Sequence, residues 1–191
     1  TYPEDITEEL VQEVKNNDKV CSYFDIPIQH ANDRILKLMN RSTDKDEIIS
    51  KIKLIRDNIE DAIIRTTLIT GFPSESEDDI DELEDFIRDI KFNKLGVFAY
   101  SQEEGTKAGK MKEQIDEDIK KQRQDRIMNV QYEIASRLNE AYIGKTFTAI
   151  IDEVYEDYVV ARSYMDVIEV DTVIYVTTDT VSYTHLRAHE T

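Results

Sequence analysis

Three short stretches of this sequence place polar residues where a plain connector needs none. In "YFDIPIQHANDRILKLMNR", an apolar run passes Pro27 and delivers Gln29 and His30. In "RTTLITGFPSESEDD", a β-branched run ends in Gly71-Phe72-Pro73-Ser74-Glu75. In "GVFAYSQEEGT", a third run gives Tyr100-Ser101 and then Gly105-Thr106. Gln29 and His30 supply hydrogen-bonding groups and one site for a proton. Gly71 lets a backbone approach a ligand closely, and Pro73 stiffens the turn after it. Arg65 sits inside a β-like run, where a charge needs a ligand or a partner, and one of the many acids would serve. Each residue also has a plainer reading. Glu75 opens a helix, where a carboxylate balances the dipole. His30 alone suits a structural place, and Phe98 and Tyr100 suit a core. The sequence has no nucleophile–base triad, Walker loop, dinucleotide fingerprint or His/Asp metal cluster. The three stretches read as a ligand-facing rim whose reaction the residues alone do not specify.

The elements that must hold this rim follow from periodicity. The sequence predicts a helix from about Asp5, capped by Thr7 or Asp5, with Ile6, Leu10, Val11 and Val14 as its buried stripe. "VCSYFDIPI" reads as a buried parallel strand containing Cys21 as a structural thiol. A short helix follows Asn32, and a second begins after Ser42 or Thr43. "DAIIRTTLITGF" and "KLGVFAYS" are the next strands, separated by the helix "SEDDIDELEDFIRDI" with acids in its first turn. Strand and helix thus alternate three times, as in an α/β fold with parallel strands and right-handed crossovers. In such barrels, residues at the carboxyl ends of the strands converge on one site. A polar loop with two glycines leads to a long helix, about Asp116 to Ala141. Beyond Gly144 the pattern changes to alternation over three short strands of a small antiparallel β-module.

Composition narrows the class. The net charge of −17 disfavours RNA contact, which rests on Lys and Arg neutralising phosphates. It favours a basic protein partner, although solubility alone would also account for it. The single Cys21 excludes an internal disulfide framework and any all-cysteine cluster supplied by this chain, and suits a reducing cytoplasm. No apolar run is long enough to span a membrane. Residues 181 to 191 carry two of the three histidines and break the acidic pattern, so they read as a non-native tail.

The stretches quoted above, with "GKTFTAIIDE" and "ARSYMDVIEVDTVIYV", resemble consecutive motifs of the radical-SAM methylthiotransferases over about residues 1 to 177. The resemblance is to the RimO family, which adds a methylthio group to an aspartate of small-subunit ribosomal protein S-twelve. The tRNA-modifying branch more often has Q-S-G in place of "QHA" and R-P-G-T in place of "EEGT". The resemblance implies the C-terminal part of a radical-SAM partial TIM-like barrel (residues 1 to 142, with the long linking helix), followed by an incomplete TRAM-like, OB-like β-module (143 to 180). Thr1-Tyr2-Pro3 resembles the exit of a strand that precedes this segment.

What the family implies for chemistry is a methylthiotransferase using S-adenosylmethionine and two 4Fe–4S clusters, with a reductant and a basic ribosomal protein as partners. The clusters' cysteine ligands are absent here and Cys21 matches none of them, so the chain alone is expected to be inactive. Gly71, Phe72, Pro73 and Glu75 are expected to shape the S-adenosylmethionine pocket. Gln29 and His30 are expected to line the cofactor or substrate cavity, with Arg65 a further candidate. The wider pattern G-x-I-x-G-x-x-E is loosely met: Ile69 and Gly71 match, Thr67 replaces the first glycine, and Glu75 falls one residue late. The alternatives are a tRNA methylthiotransferase and a non-catalytic protein-binding fragment. Open edges of a three-stranded sheet are expected to favour association.

Overall fold

The computed structural model describes residues 1–177, so the tail at 181 to 191 lies outside the described residues. Two compact units divide between Ile143 and Gly144. In the first, the elements run α1 (Glu8–Asn16), β1 (Tyr23–Asp25), α2 (Asp33–Leu38), α3 (Lys45–Asn58), β2 (Ile63–Thr70), α4 (Glu77–Ile90), β3 (Lys94–Ala99) and α5 (Glu117–Glu140). The strands form one parallel sheet in the order β1-β2-β3, with Asp25, Arg65 and Lys94 level with one another.

Alternation along β2 sorts the two faces of this sheet. Ile64 and Leu68 are fully buried in one cluster with Ile48, Ile52 and Ile55 of α3 and Ile80, Leu83 and Ile87 of α4. Helical spacing on α3 and α4 and period-two spacing on β2 therefore meet in one core. The opposite face carries Arg65, Thr67 and Ile69, level with Lys94, Gly96 and Phe98. Phe98 is 58% exposed there, so it is no part of the core.

Several local expectations change. β1 has three residues, much shorter than the apolar run around it. Pro27 has no N–H, so regular pairing stops. The Thr66 hydroxyl bridges the gap, donating to the Ile26 carbonyl (2.8 Å) and lying 3.4 Å from the Ile28 N–H. Pairing resumes when the Gln29 N–H reaches the Thr67 carbonyl (3.0 Å) and the Ile69 N–H reaches the Gln29 carbonyl (2.8 Å). Because β1 starts at Tyr23, Cys21 lies ahead of it and is exposed, which corrects its reading as a buried strand thiol. α1 starts after the Thr7 cap, preceded by a short 3-10 turn at Pro3–Asp5. α3 begins at Lys45, after Ser42 and Thr43, and its cap is Asp44, which accepts from the Glu47 N–H at 2.9 Å.

The second unit, from Gly144, is an antiparallel sheet of β4 (Ala149–Val154), β5 (Tyr158–Ser163) and β6 (Ile174–Thr177), with a register shift between Ile151 and Glu153. Val159, Ala161 and Ser163 point to its buried side. The sheet does not close on itself in the described residues. Among those residues, no helix is long and apolar enough to cross a membrane.

Candidate ligand site at the strand ends

Gly71 has φ +74°, in the left-handed region that glycine enters without strain. Its N–H donates to Glu75 Oε1 at 2.7 Å, which folds the turn after β2 back on itself. A second constraint comes from α5. A Cβ at position 71 would lie 2.3 Å from Lys120 Cγ and 2.9 Å from its Cβ. The Lys120 stem is thus packed directly on the glycine, while its ammonium bonds Glu117 (2.6 Å) and lies 5.3 Å from the centre of the Tyr100 ring. Tyr100, just past β3, meets Phe72 edge to face with ring centres 5.2 Å apart. Phe72 and Pro73 are buried, and Ser74 (φ +72°) donates its N–H to the Glu113 carbonyl at 2.9 Å.

Glu75 is a buried carboxylate rather than only a dipole-balancing residue at the helix start; the cap of α4 is Ser76. Its Oε1 also accepts from Arg123 Nη1 at 2.9 Å, and the same nitrogen reaches the Glu75 carbonyl at 3.1 Å. Arg123 binds Glu77 Oε1 through Nε at 2.9 Å as well. Glu75 Oε2 faces His30 Nε2 at 3.4 Å, with both side chains fully buried. His30 Nδ1 accepts the Asn32 N–H at 2.9 Å, so in the neutral ring the proton sits on Nε2, the nitrogen nearer the carboxylate. His30 therefore reaches the rim through Glu75, whereas Gln29, held at φ +73°, is half-buried beside it.

The strand ends thus bring Gly71, Phe72, Pro73, Glu75 and His30 together with Tyr100. Arg65 is not among them. It pairs with Asp25 at 2.8 Å, and six residues of strand, roughly 20 Å, separate it from Gly71. Sequence reading missed Lys120 and Arg123. Their signal was available: both continue the stripe of Ile127, Val130 and Ile134, so α5 carries two cations on its buried side.

Neighbouring acids are held ionised. For Asp79 burial opposes ionisation, but the Ser76 N–H and hydroxyl and the nearby Arg34 outweigh it and hold its pKa below the usual value. Glu82 behaves likewise, burial being outweighed by bonds from Lys45 and Asn32.

Among the described residues, the buried side-chain polar atoms without a hydrogen-bond partner include Thr70 Oγ1, Glu75 Oε2, His30 Nε2 and Tyr100 OH. All four belong to the ends of β1, β2 and β3, where a ligand with polar groups would satisfy them. No group of three His, Cys, Asp or Glu among the described residues suits a metal ion.

Comparison with known proteins gives this arrangement a family. Residues 1–87 match the radical SAM superfamily, and residues 143–184 match the TRAM domain. A protein of Clostridioides difficile (strain 630), named ribosomal protein uS12 methylthiotransferase RimO, is 53% identical over 92% of this chain and 40% of its own length. Proteins of the same name from Clostridium novyi (strain NT) and Clostridium botulinum (strain Loch Maree / Type A3) are 45% and 50% identical, over 95% and 91% of this chain. The chain spans about two fifths of the length of these relatives. Coproporphyrinogen III oxidase (HemN) from Escherichia coli, described as a radical SAM enzyme, superposes with a TM-score of 0.52 at 17% identity. That match covers 75% of this chain and 32% of the other, and shows a shared fold. With both family matches in sequence and about half of all residues identical along nearly its whole length, this chain belongs to the RimO family of radical-SAM methylthiotransferases.

Proposed function

We propose that this chain is the C-terminal portion of a methylthiotransferase that modifies an aspartate of ribosomal protein uS12 by radical S-adenosylmethionine chemistry. Residues 1 to 142 belong to its barrel and 143 to 180 to a TRAM-like module. The supporting geometry is the group of unpartnered buried polar atoms around Gly71, at the carboxyl ends of parallel strands where ligands bind in such folds. S-adenosylmethionine fits them by chemistry. A nucleoside and an amino acid offer donors and acceptors for Thr70 Oγ1, Tyr100 OH and Glu75 Oε2, and a flat ring system for Phe72. When bound, this cofactor supplies the radical and methyl chemistry, and the protein supplies orientation and exclusion of water.

The chain's own residues hold the shape of that pocket. Glu75 clamps the Gly71 N–H, Arg123 anchors Glu75, and Lys120 covers the glycine from outside. His30 packs its Nε2 3.4 Å from Glu75 Oε2 while its Nδ1 accepts the Asn32 N–H. Iron–sulfur clusters, two of them in this reading, do not fit the residues present: Cys21 alone cannot supply a cluster's thiolates. The clusters and the site of their reduction belong to residues outside this chain.

The basic ribosomal protein is favoured over tRNA by charge. Between Gly144 and Thr177 there are seven acidic residues and two basic ones, a surface that repels phosphate. The test is a chimera in which residues 1 to 177 replace the matching part of the Clostridioides difficile relative, expressed in bacteria lacking their own enzyme. Mass spectrometry of uS12 should show the methylthio group. A stable chimera that leaves uS12 unmodified would sink the proposal, and modification of tRNA instead would select the other branch.

A further inference from the structure

The second unit carries three tyrosines in mutual contact away from its buried face. Tyr155 and Tyr158 stack with ring centres 4.7 Å apart and planes 16° from parallel, and Tyr175 stands 5.7 Å from Tyr158, tilted by 58°. The sheet register explains why they meet. Val160 is level with Tyr175 on one side and Glu153 on the other, and Tyr158 lies two residues before Val160. Tyr158, Tyr175 and Glu153 therefore share a face, and Tyr155 joins them from the adjoining turn, where its N–H bonds the Tyr158 carbonyl. This face is opposite the one that buries Val159, Ala161 and Ser163, so the rings contribute nothing to that core. Tyr155 is 45% exposed and Tyr175 66%.

We propose that Tyr155, Tyr158 and Tyr175, with the Glu153 carboxylate beside them, receive an arginine side chain of a basic polypeptide. The identity of that polypeptide as ribosomal protein uS12 rests on the function proposed above; the chemistry of the surface does not. A guanidinium is planar and weakly hydrated, so it stacks on aromatic faces while its N–H groups bind a carboxylate. Glu153 is placed for this: it accepts the Tyr155 hydroxyl through one oxygen, which fixes the carboxylate against the rings. Glu156 and Asp157 follow Tyr155 in the turn between β4 and β5, so the approach to the rings is acidic. Arg162, on the same face as Val160, bonds Asp152 at 3.1 Å and is the basic residue of β5. Exposed tyrosines also stack nucleic-acid bases, but such surfaces combine rings with basic grooves, and this one is acidic.

The experiment titrates a fluorescent nona-arginine peptide into the 191-residue chain at physiological salt, beside nona-lysine and a single-stranded RNA. The variants are Tyr155→Leu/Tyr175→Leu, which loses two rings, and Tyr155→Phe/Tyr175→Phe, which keeps them. Arginine should bind more tightly than lysine, and the leucine variant should weaken arginine binding by about five-fold or more. The phenylalanine variant should stay within about two-fold of the parent. Equal binding by all three proteins would overturn the proposal, as would RNA binding that only the leucine variant loses. Tyrosine ring proton resonances of the unsubstituted chain give an answer independent of folding in the variants. They should shift as arginine peptide is added, and unmoved rings would refute the stacking. Arginine binding that survives alongside unmodified uS12 in the chimera would refute the enzymatic reading alone. A modifying chimera whose parent chain shows no ring-dependent binding would refute this surface alone.

Discussion

Replacing Arg123 by methionine removes the cation from a buried pair and leaves its partner in place. The Glu75 side chain is 0% exposed and that of Arg123 9%, with 2.9 Å between Nη1 and Oε1. Deleting one partner of a buried pair costs about 3–5 kcal/mol, because the remaining charge keeps its desolvation penalty. The second arm of Arg123 adds little: the Glu77 side chain is 66% exposed, and such a contact contributes at most about 1 kcal/mol. Arg123→Met should therefore lower stability by about 3–5 kcal/mol, with weak dependence on salt. Glu75→Gln keeps an oxygen to accept the Gly71 N–H and removes the charge. The double variant should then lose less than the two single variants together, with a coupling of about 2 kcal/mol or more. Urea unfolding followed by the helical circular-dichroism signal suits the test, since α1 to α5 all lie in the first unit. Hydrogen exchange at the Gly71 amide should rise in Arg123→Met. A coupling below about 0.5 kcal/mol, with exchange at Gly71 unchanged, would refute the account of Glu75 as a clamp held by α5.

Gly71→Ala should cost about 2–4 kcal/mol, combining left-handed backbone strain with the 2.3 Å approach to Lys120 Cγ. Thermal unfolding of Gly71→Ala against Gly71→Ala/Lys120→Ala should show partial rescue. Gly105→Ala meets nothing within 4 Å and should cost only the strain, about 1–2 kcal/mol; a cost equal to that of Gly71→Ala would discredit the packing argument. Asp79, Glu82 and Glu84 all have folded pKa values below their ordinary 3.8, 4.5 and 4.5. In this range the unfolded chain binds more protons, so their stabilisation is complete above roughly pH 5. It is lost as pH falls through the depressed values. Melting temperature should be flat above that point and drop below it, and Asp79→Asn should lessen the drop. A melting temperature that stays flat down to strong acid would contradict those directions.

Much of the first unit was legible because its signals are local. Period-two spacing in "IIRTTLIT" and helical spacing in α3 and α4 place Ile64, Leu68, Ile52 and Leu83 in one core without reference to any distant residue. β1 misled because an apolar run bounds a strand only where every residue can pair, and Pro27 cannot. The same shortening put Cys21 outside the strand and exposed it. The site was half legible. Gly71 and Glu75 announced a tight turn, but the reason Glu75 tolerates burial is Arg123, forty-eight residues further on. Arg65 was a fair candidate on type alone, and only the register with Asp25 shows its charge already matched, one strand length away from the rim.

Glu75 has two oxygens with separate surroundings, and in the proposed site this separates residues that shape the rim from those that would meet a ligand. Oε1 is fully engaged by the Gly71 N–H and Arg123, so it fixes the turn whether or not anything is bound. Oε2 has only the 3.4 Å approach of His30 and lacks a hydrogen bond, as do Thr70 Oγ1 and Tyr100 OH. A buried polar atom without a partner costs free energy that packing alone does not return. Concentrating such atoms at one end of the sheet makes sense where another molecule supplies the missing bonds. In the proposed site the turn backbone is already held by α5, which would lower the ordering cost of binding, while the buried Thr70 and Glu75 side chains would have to open to the ligand. In the proposed site Lys120 and Arg123 would act without touching the ligand: they hold in advance the turn that Thr70, Tyr100 and Glu75 Oε2 would complete.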